Sequence, residues 1–370
     1  MNNASVNYRA AINGITPYSP GKPIEEVARE LGLDPASIIK LASNENPLGP
    51  SPLALEAIRE HLADIRLYPD SDGYALRHEL AAQVGVAAEQ IIMGRGSDEI
   101  MHFLAVAYLE EGDEVIMGDP PFSMYEISTL LMGARPVKIP LKEFAHDLPA
   151  MTAAVTARTK IIYVANPHNP TGAMNAREEV AAFLAMVPER VIVVLDEAYC
   201  EYVTRGDYPD SLDYVREGRN VIVMRTFSKI YALAGLRVGY GICGSPAIMT
   251  ALNQVREPFN VANLGQWAAI ASLRDPQQVA RSRQANEEGK AFLYSALARL
   301  GLPYVPTQSN FILLDTKQPC REVFGALLRE GVIVRTGDIF GYPTMIRVTI
   351  GTAEENTRFI DTLERVLAAM

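Results

Sequence analysis

The chain has 370 residues, enough for more than one hydrophobic core, so two domains are the starting expectation. Apolar residues make up 48% and charged residues 21%, as in an ordinary soluble globular protein, and the net charge of −10 argues against a nucleic-acid partner, which needs a basic face. Three cysteines and five histidines, none at ligand spacing, predict a reduced protein without a metal; a polar start from Met1 to Arg9 and the lack of a membrane-length apolar run predict a cytoplasmic one.

Residues 1–43 read as an arm. Thr16-Pro17-Tyr18-Ser19-Pro20-Gly21 cannot be helical throughout, and a short amphipathic piece follows from Pro23 to Leu31. Ser43-Asn44-Glu45-Asn46-Pro47-Leu48-Gly49-Pro50 is a turn-rich loop that opens into a helix over 51–62. From there helices (74–84, 97–108, 122–132, 177–186) are interspersed with short apolar strands (90–93, 114–117, 136–139, 160–165, 191–195, 220–225, 238–242). Unbroken apolar strands joined by helices predict an α/β domain, residues 44–257, with a mostly parallel sheet buried on both faces. After Pro258 come long helices (262–273, 277–300), strands near 310–314, 332–335 and 346–350, a helix over 321–330 and a closing helix from Glu354. Residues 258–370 therefore read as a smaller α/β domain, with the boundary near Glu257 and the arm packing on it or on a partner subunit.

Several strand ends carry residues suited to chemistry. Lys229 follows the strand ending at Arg225 and precedes a glycine-rich turn, with Ser228 beside it and Arg237 eight residues on. A lysine able to form a Schiff base, with a hydroxyl and a guanidinium to clamp phosphate, suits pyridoxal phosphate; a surface lysine in a loop fits the segment as well. Asn169, in Asn166-Pro167-His168-Asn169-Pro170-Thr171-Gly172, projects from a strand's carboxyl end, where α/β ligands bind, or simply belongs to a rigid turn. Asp196, in Asp196-Glu197-Ala198-Tyr199, ends a buried strand and needs a cation such as a protonated pyridine nitrogen, unless it only caps the next segment. Gly94-Arg95-Gly96-Ser97-Asp98-Glu99 opens a helix whose free N–H groups suit a phosphate, or whose Ser-Asp pair caps it. Phe122 can stack on a flat ring or sit in the core. Arg335 and Arg347, twelve residues apart at the ends of two strands, can grip one anion or stand apart on the surface.

Together, Asn-Pro-x-Asn-Pro-Thr-Gly, Asp-Glu-Ala-Tyr and Ser-Lys with Gly-Leu-Arg-x-Gly-Tyr, in that order and spacing, resemble the fold-type I aminotransferases. Within them the chain is similar to the histidinol-phosphate aminotransferase family. The finer likeness rests on Thr16-Pro17-Tyr18, Ser43-Asn44-Glu45-Asn46-Pro47, Tyr68-Pro69-Asp70, Gly96-Ser97-Asp98-Glu99 and Arg347-Val348-Thr349-Ile350-Gly351-Thr352, and covers nearly the whole chain.

The resemblance implies pyridoxal phosphate as cofactor and a ping-pong transamination between histidinol phosphate and 2-oxoglutarate, giving imidazole-acetol phosphate and glutamate. Lys229 would carry the cofactor and shuttle the proton. Asp196 would pair with the ring nitrogen, and Tyr199 and Asn169 would bond the phenolic oxygen. Ser97, Asp98, Ser228 and Arg237 would hold the phosphate, with Phe122 on the ring. Tyr68 would reach the phosphate in the neighbouring subunit of a homodimer. Arg347 would grip the substrate's anionic end, helped by Arg335 and Tyr18, while Glu45, Asn46 and Tyr18 are candidates for the imidazole wall. One departure is Phe122, where relatives often have tyrosine, so a hydrogen bond made there by relatives is in doubt. The readings set against this one are an aromatic amino-acid aminotransferase, a phosphoamino-acid decarboxylase on the same scaffold and a regulator without catalysis. A nicotinamide dehydrogenase is disfavoured, because no Gly-x-Gly-x-x-Gly follows the first strand.

Overall fold

The computed structural model describes residues 9–18 and 20–370, so most of the polar opening stretch, and Ser19 of the Thr16–Gly21 turn, lie outside it. In chain order the elements are α1 (Ile24–Leu31), β1 (Ile39–Lys40), α2 (Pro52–Glu60), α3 (Tyr74–Val84), β2 (Ile91–Gly94), α4 (Ser97–Tyr108), β3 (Glu114–Asp119), α5 (Ser123–Leu131), β4 (Arg135–Pro140), α6 (Leu148–Ala153), β5 (Thr159–Ala165), α7 (Arg177–Met186), β6 (Ile192–Asp196), α8 (Ser211–Arg216), β7 (Val221–Thr226), β8 (Gly239–Cys243) and α9 (Pro246–Val255). Then follow α10 (Asn263–Leu273), α11 (Pro276–Arg299), β9 (Phe311–Asp315), α12 (Cys320–Arg329), β10 (Val332–Ile333), β11 (Arg335–Thr336), β12 (Met345–Thr349) and α13 (Ala353–Ala368).

Seven strands form the main sheet in the order β2-β8-β7-β6-β5-β3-β4. Side chains alternate cleanly along β6 and β7. Val193, Leu195, Val221 and Val223 face one apolar cluster with α3, α7, α8 and α10, while Ile192, Val194, Ile222 and Met224 face another with α4, α5 and α9. β4 closes one edge, half exposed and carrying Pro136 and Pro140, residues that an edge strand tolerates because nothing must pair with their missing N–H groups.

The sheet is mostly parallel, as expected, with one exception. β8 runs antiparallel to both β7 and β2. The chain from Thr226 to Gly239 contains no crossover helix, so it can only turn back beside β7. That reversal brings the start of β8 to the ends of β7 and β2, pairing Gly239 with Thr226 and Gly94.

A three-stranded antiparallel sheet, β11-β12-β9, packs with α12, α13 and the second half of α11 around Leu293, Leu297, Leu327, Phe359 and Leu363. The segment before Ala42 joins this body: β1 pairs with β10, and Val27, Ala28 and Ile38 pack on Leu328 and Ile333. The strand expected over 332–335 is divided at Val334, its first half serving β1 and its second β12.

The packing change expected near Glu257 comes later. α10 lies against α2 and α3, with Ala268, Ala269 and Ile270 in the main-sheet core, and the change of partner occurs within α11. Helices α6, α8 and α9 have no counterpart in the sequence reading; α9 starts at Ser245-Pro246 and buries Ile248, Met249 and Leu252. Among the described residues no helix is long and apolar enough to cross a membrane.

Candidate active site

The carboxyl ends of β5, β6 and β7 open onto a cavity of about 270 Å³, which also meets the start of α4, the loop at 42–45 and the small sheet. Each wall follows from the chain's local geometry. After β7 the backbone turns and sets Lys229 into the cavity, where its Nζ donates to the Ser43 carbonyl at 3.3 Å and lies 5.7 Å from the Tyr199 ring centre. Burial, and then the Arg347 cation, lower its ammonium to about 8.

Asp196 ends β6 on the Ile192–Val194 face and is 7% exposed. Its Oδ2 accepts the Tyr125 hydroxyl at 2.6 Å and its Oδ1 accepts the Ala198 N–H at 3.1 Å. The carboxylate therefore does shape its own turn, but it also lines the cavity, and among the described residues no cation forms an ion pair with it. Burial raises it to about 6. Glu197, the next residue, is buried against Arg225 at 2.7 Å, which ties the ends of β6 and β7 together beneath the site.

Tyr199 is buried, and burial pushes its phenol up to about 12. Asn44 donates its Nδ2 to that hydroxyl at 2.9 Å. Asn169 accepts from Arg347 Nη1 at 2.6 Å through its Oδ1. Arg347 is buried, donates Nη2 to the Ala42 carbonyl at 3.1 Å and sits over the Phe311 and Phe340 rings at 5.1 and 5.4 Å. Its Nε–H meets no acceptor among the described residues. Arg335 lies over the Tyr18 ring at 5.8 Å, and the register pairs it directly with Arg347 across β11 and β12. The two arginines expected to share one anion thus stand side by side at one end of the cavity.

At the other end α4 begins. Gly96 is its N-cap, with no side chain capping the first turn, so Ser97 and Asp98 leave its N–H groups available. Arg237 reaches Asp98 Oδ2 at 3.1 Å and Ser228 Oγ at 3.5 Å. The approach is so tight that a Cβ on Gly96 would come within 2.5 Å of Arg237 Nη2, and one on Gly239 within 2.3 Å of the Ser97 nitrogen. Phe122 borders the cavity with its ring edge-on to Tyr125 at 5.5 Å.

Two expected residues lie elsewhere. Asn46 is not on the wall: it is buried, and its amide donates to the Ile230 carbonyl and to Ser282 Oγ, both at 2.8 Å, so its side chain locks the loop and has none to spare for a substrate. Tyr68 is 82% exposed and stacked on Phe259 at 4.8 Å, outside this chain's cavity. Glu45 does line the cavity and pairs with Lys40 at 2.8 Å. Conversely, Asn44 and Tyr125 were missed. Asn44 lies inside the quoted Ser-Asn-Glu-Asn-Pro loop, and Tyr125 sits one helical turn after Phe122; that i, i+3 spacing was the available signal. Among the described residues no group of three potential ligands could hold a metal.

Comparison with known proteins identifies the family. The profile of aminotransferase class I and II matches residues 36–363. A histidinol-phosphate aminotransferase of Moorella thermoacetica is 56% identical over 361 residues, covering 97% of this chain and 93% of that one. Histidinol-phosphate aminotransferase 2 of Pseudomonas fluorescens is 50% identical, with 96% of each chain covered. The crystal structure of histidinol-phosphate aminotransferase from Sinorhizobium meliloti, in complex with pyridoxal-5'-phosphate, superimposes with a TM-score of 0.91 at 28% identity over 99% of both chains. With its α/β architecture, its cavity at the strand ends and this match over most of its length, the chain belongs to the class I and II aminotransferase family.

Proposed function

We propose that this chain is a pyridoxal-phosphate-dependent transaminase that interconverts histidinol phosphate and 2-oxoglutarate with imidazole-acetol phosphate and glutamate. The observation that carries the reading is one cavity holding a partly desolvated lysine, a buried carboxylate without a cation and, at the far end, paired arginines. The groups present fit the cofactor. Among the described residues Asp196 has no positive partner, which a protonated ring nitrogen would supply, and the uncapped start of α4 with Ser228 and Arg237 supplies anion donors.

When bound, pyridoxal phosphate supplies an electron sink for the charge left on the substrate Cα. Lys229 would hold the cofactor, and its Nζ, with a neutral form accessible near pH 8, would take and return the Cα proton. Asp196 would pair with the ring nitrogen. Tyr199 stays protonated well above neutral pH and, with Asn169, would face the phenolic oxygen. The N–H groups of Ser97 and Asp98 with Ser228 and Arg237 would take the phosphate, and Phe122 would cover the ring. Arg347 and Arg335, beside Tyr18, would take the substrate's phosphate or carboxylate, since a guanidinium fork fits either. The relatives' names support the choice of histidinol phosphate.

We also propose a homodimer. Leu62, Ile65, Leu67, Tyr68, Phe259 and Trp267 are all exposed, with Tyr68 stacked on Phe259 and the 62–66 turn against α10, which suits an interface, and Tyr68 there could serve a neighbour's site. The three cysteines are unpaired, as suits a reducing cytoplasm.

The test is spectroscopic. The purified protein should be yellow; histidinol phosphate alone should bleach it, and 2-oxoglutarate should restore the colour. Phenylalanine bleaching it while histidinol phosphate leaves it unchanged would overturn the substrate assignment.

A further inference from the structure

The face of the main sheet toward α4 and α5 carries three aromatic rings in contact. Tyr163 from β5 stacks on Tyr125 from α5 at 4.3 Å and 5°, and Tyr125 meets Phe122 edge-on at 5.5 Å. Tyr125 is 2% exposed, so its hydroxyl must find its acceptor inside the protein, and it finds Asp196 Oδ2 at 2.6 Å. With Ala198 N–H on Oδ1, the carboxylate is held at both oxygens while it borders the cavity.

We infer that Tyr125 is a positioning residue for Asp196, its hydroxyl fixing the carboxylate's orientation and keeping it ionised against the ring nitrogen it is proposed to meet. This rests on the functional reading above. The surroundings make such a donor necessary. Burial favours the neutral acid, and Asp98 from α4 and Glu197 beside Asp196 push the same way. Tyr125 and the Ala198 N–H act in the opposite direction, the phenols of Tyr163 and Tyr199 also feel its charge, and Lys229, Arg237 and Arg347 line the same cavity. A charge-assisted bond in so dry a place lowers the carboxylate's basicity, so the shared proton stays on the nitrogen. Removing the hydroxyl makes the carboxylate the stronger base and draws that proton toward oxygen. Phe122, the residue proposed to cover the ring, touches the same tyrosine, so one side chain sets both the face and the edge of the ring's seat.

The experiment uses holoenzyme reconstituted with pyridoxal phosphate labelled with ¹⁵N in the ring. Tyr125→Phe keeps the ring and its packing. It should move the ¹⁵N resonance toward the neutral-pyridine position and lower kcat roughly ten- to a hundredfold with little change in KM. Tyr163→Phe removes a hydroxyl from the same stack without touching the bond to Asp196, and should leave the resonance where it was. A wild-type resonance in Tyr125→Phe, or an equal displacement in both variants, would overturn this role alone. An unsubstituted protein that binds no cofactor would remove the functional reading and this role together.

Discussion

The closest backbone approach at the site lies between β8 and α4, and it makes Gly239→Ala an informative perturbation. The new methyl carbon would sit 2.3 Å from the Ser97 nitrogen, 2.4 Å from the Gly96 carbonyl carbon and 2.9 Å from the Gly96 Cα. All three are backbone atoms, so no rotamer change relieves the clash. The helix start must retreat by about 1 Å to reach ordinary contact, and overpacking of this kind costs about 3 kcal/mol, the upper end of its range. The retreat pulls the N–H groups of Ser97 and Asp98 away from Ser228 and Arg237, with the loss of about one charge-assisted hydrogen bond to the phosphate they are proposed to hold. That corresponds to a rise in the cofactor's dissociation constant of roughly ten- to a hundredfold. Titrating the apoprotein with pyridoxal phosphate, alongside thermal unfolding with and without it, measures both effects. Gly325→Ala is the control: it lies inside α12 with nothing nearer its added carbon than Arg329 at 3.8 Å, and should be neutral or slightly stabilising. Gly239→Ala with unchanged melting and unchanged cofactor affinity would refute the argument.

Lys229→Ala should bind the cofactor without turnover, and borohydride should no longer fix it covalently to the protein; a mass increase after reduction would show another attachment point. Arg347→Lys loses the fork that serves Asn169 and the proposed anion together, so KM should rise roughly tenfold or more for both histidinol phosphate and 2-oxoglutarate, and equal KM values by steady-state kinetics would contradict the shared-anion reading. The wholly buried Glu114 gives a pH dependence far from the site. Bonds from Thr156, Arg158 and Arg135 hold its carboxyl at about 2, below its ordinary 4.5, so its stabilisation is complete above about 4.5 and disappears as pH falls through about 2. Acid unfolding followed by circular dichroism should lose that portion of its slope in Glu114→Gln; an identical acid profile would mean the cluster contributes nothing.

The strand-end parts of the site legible in the sequence share one physical cause. Asn169, Asp196 and Lys229 each come just after an unbroken apolar strand, and a buried strand has to release its next polar residue at the sheet's edge. Arg335 and Arg347 were legible from their charge and spacing, although Arg347 lies in the middle of β12 and not at its end as expected. Strand direction was not: an apolar run reads alike either way, so the reversal of β8 had to wait for the pairing. Asn44 bonds a hydroxyl 155 residues away, and no local pattern encodes such a meeting. Tyr125 reads as core because it is core; only its hydroxyl faces a charge. Asn46 was expected at the substrate because it lies in the same loop as Asn44 and Glu45, yet the lining of the cavity stops at Glu45 and the Asn46 amide is turned to the Ile230 carbonyl and Ser282. The expected division near Glu257 failed to separate α10 from the main sheet, since the change in composition precedes the change in packing partner.

Trp267 is the chain's sole tryptophan, and its indole lies flat on His61 at 4.2 Å, on the bare apolar side and not at the cavity. Intrinsic emission is therefore a built-in gauge of the proposed subunit association: diluting the protein should shift its wavelength as that side meets water, while filling the cofactor cavity should leave the environment of the indole itself unaltered.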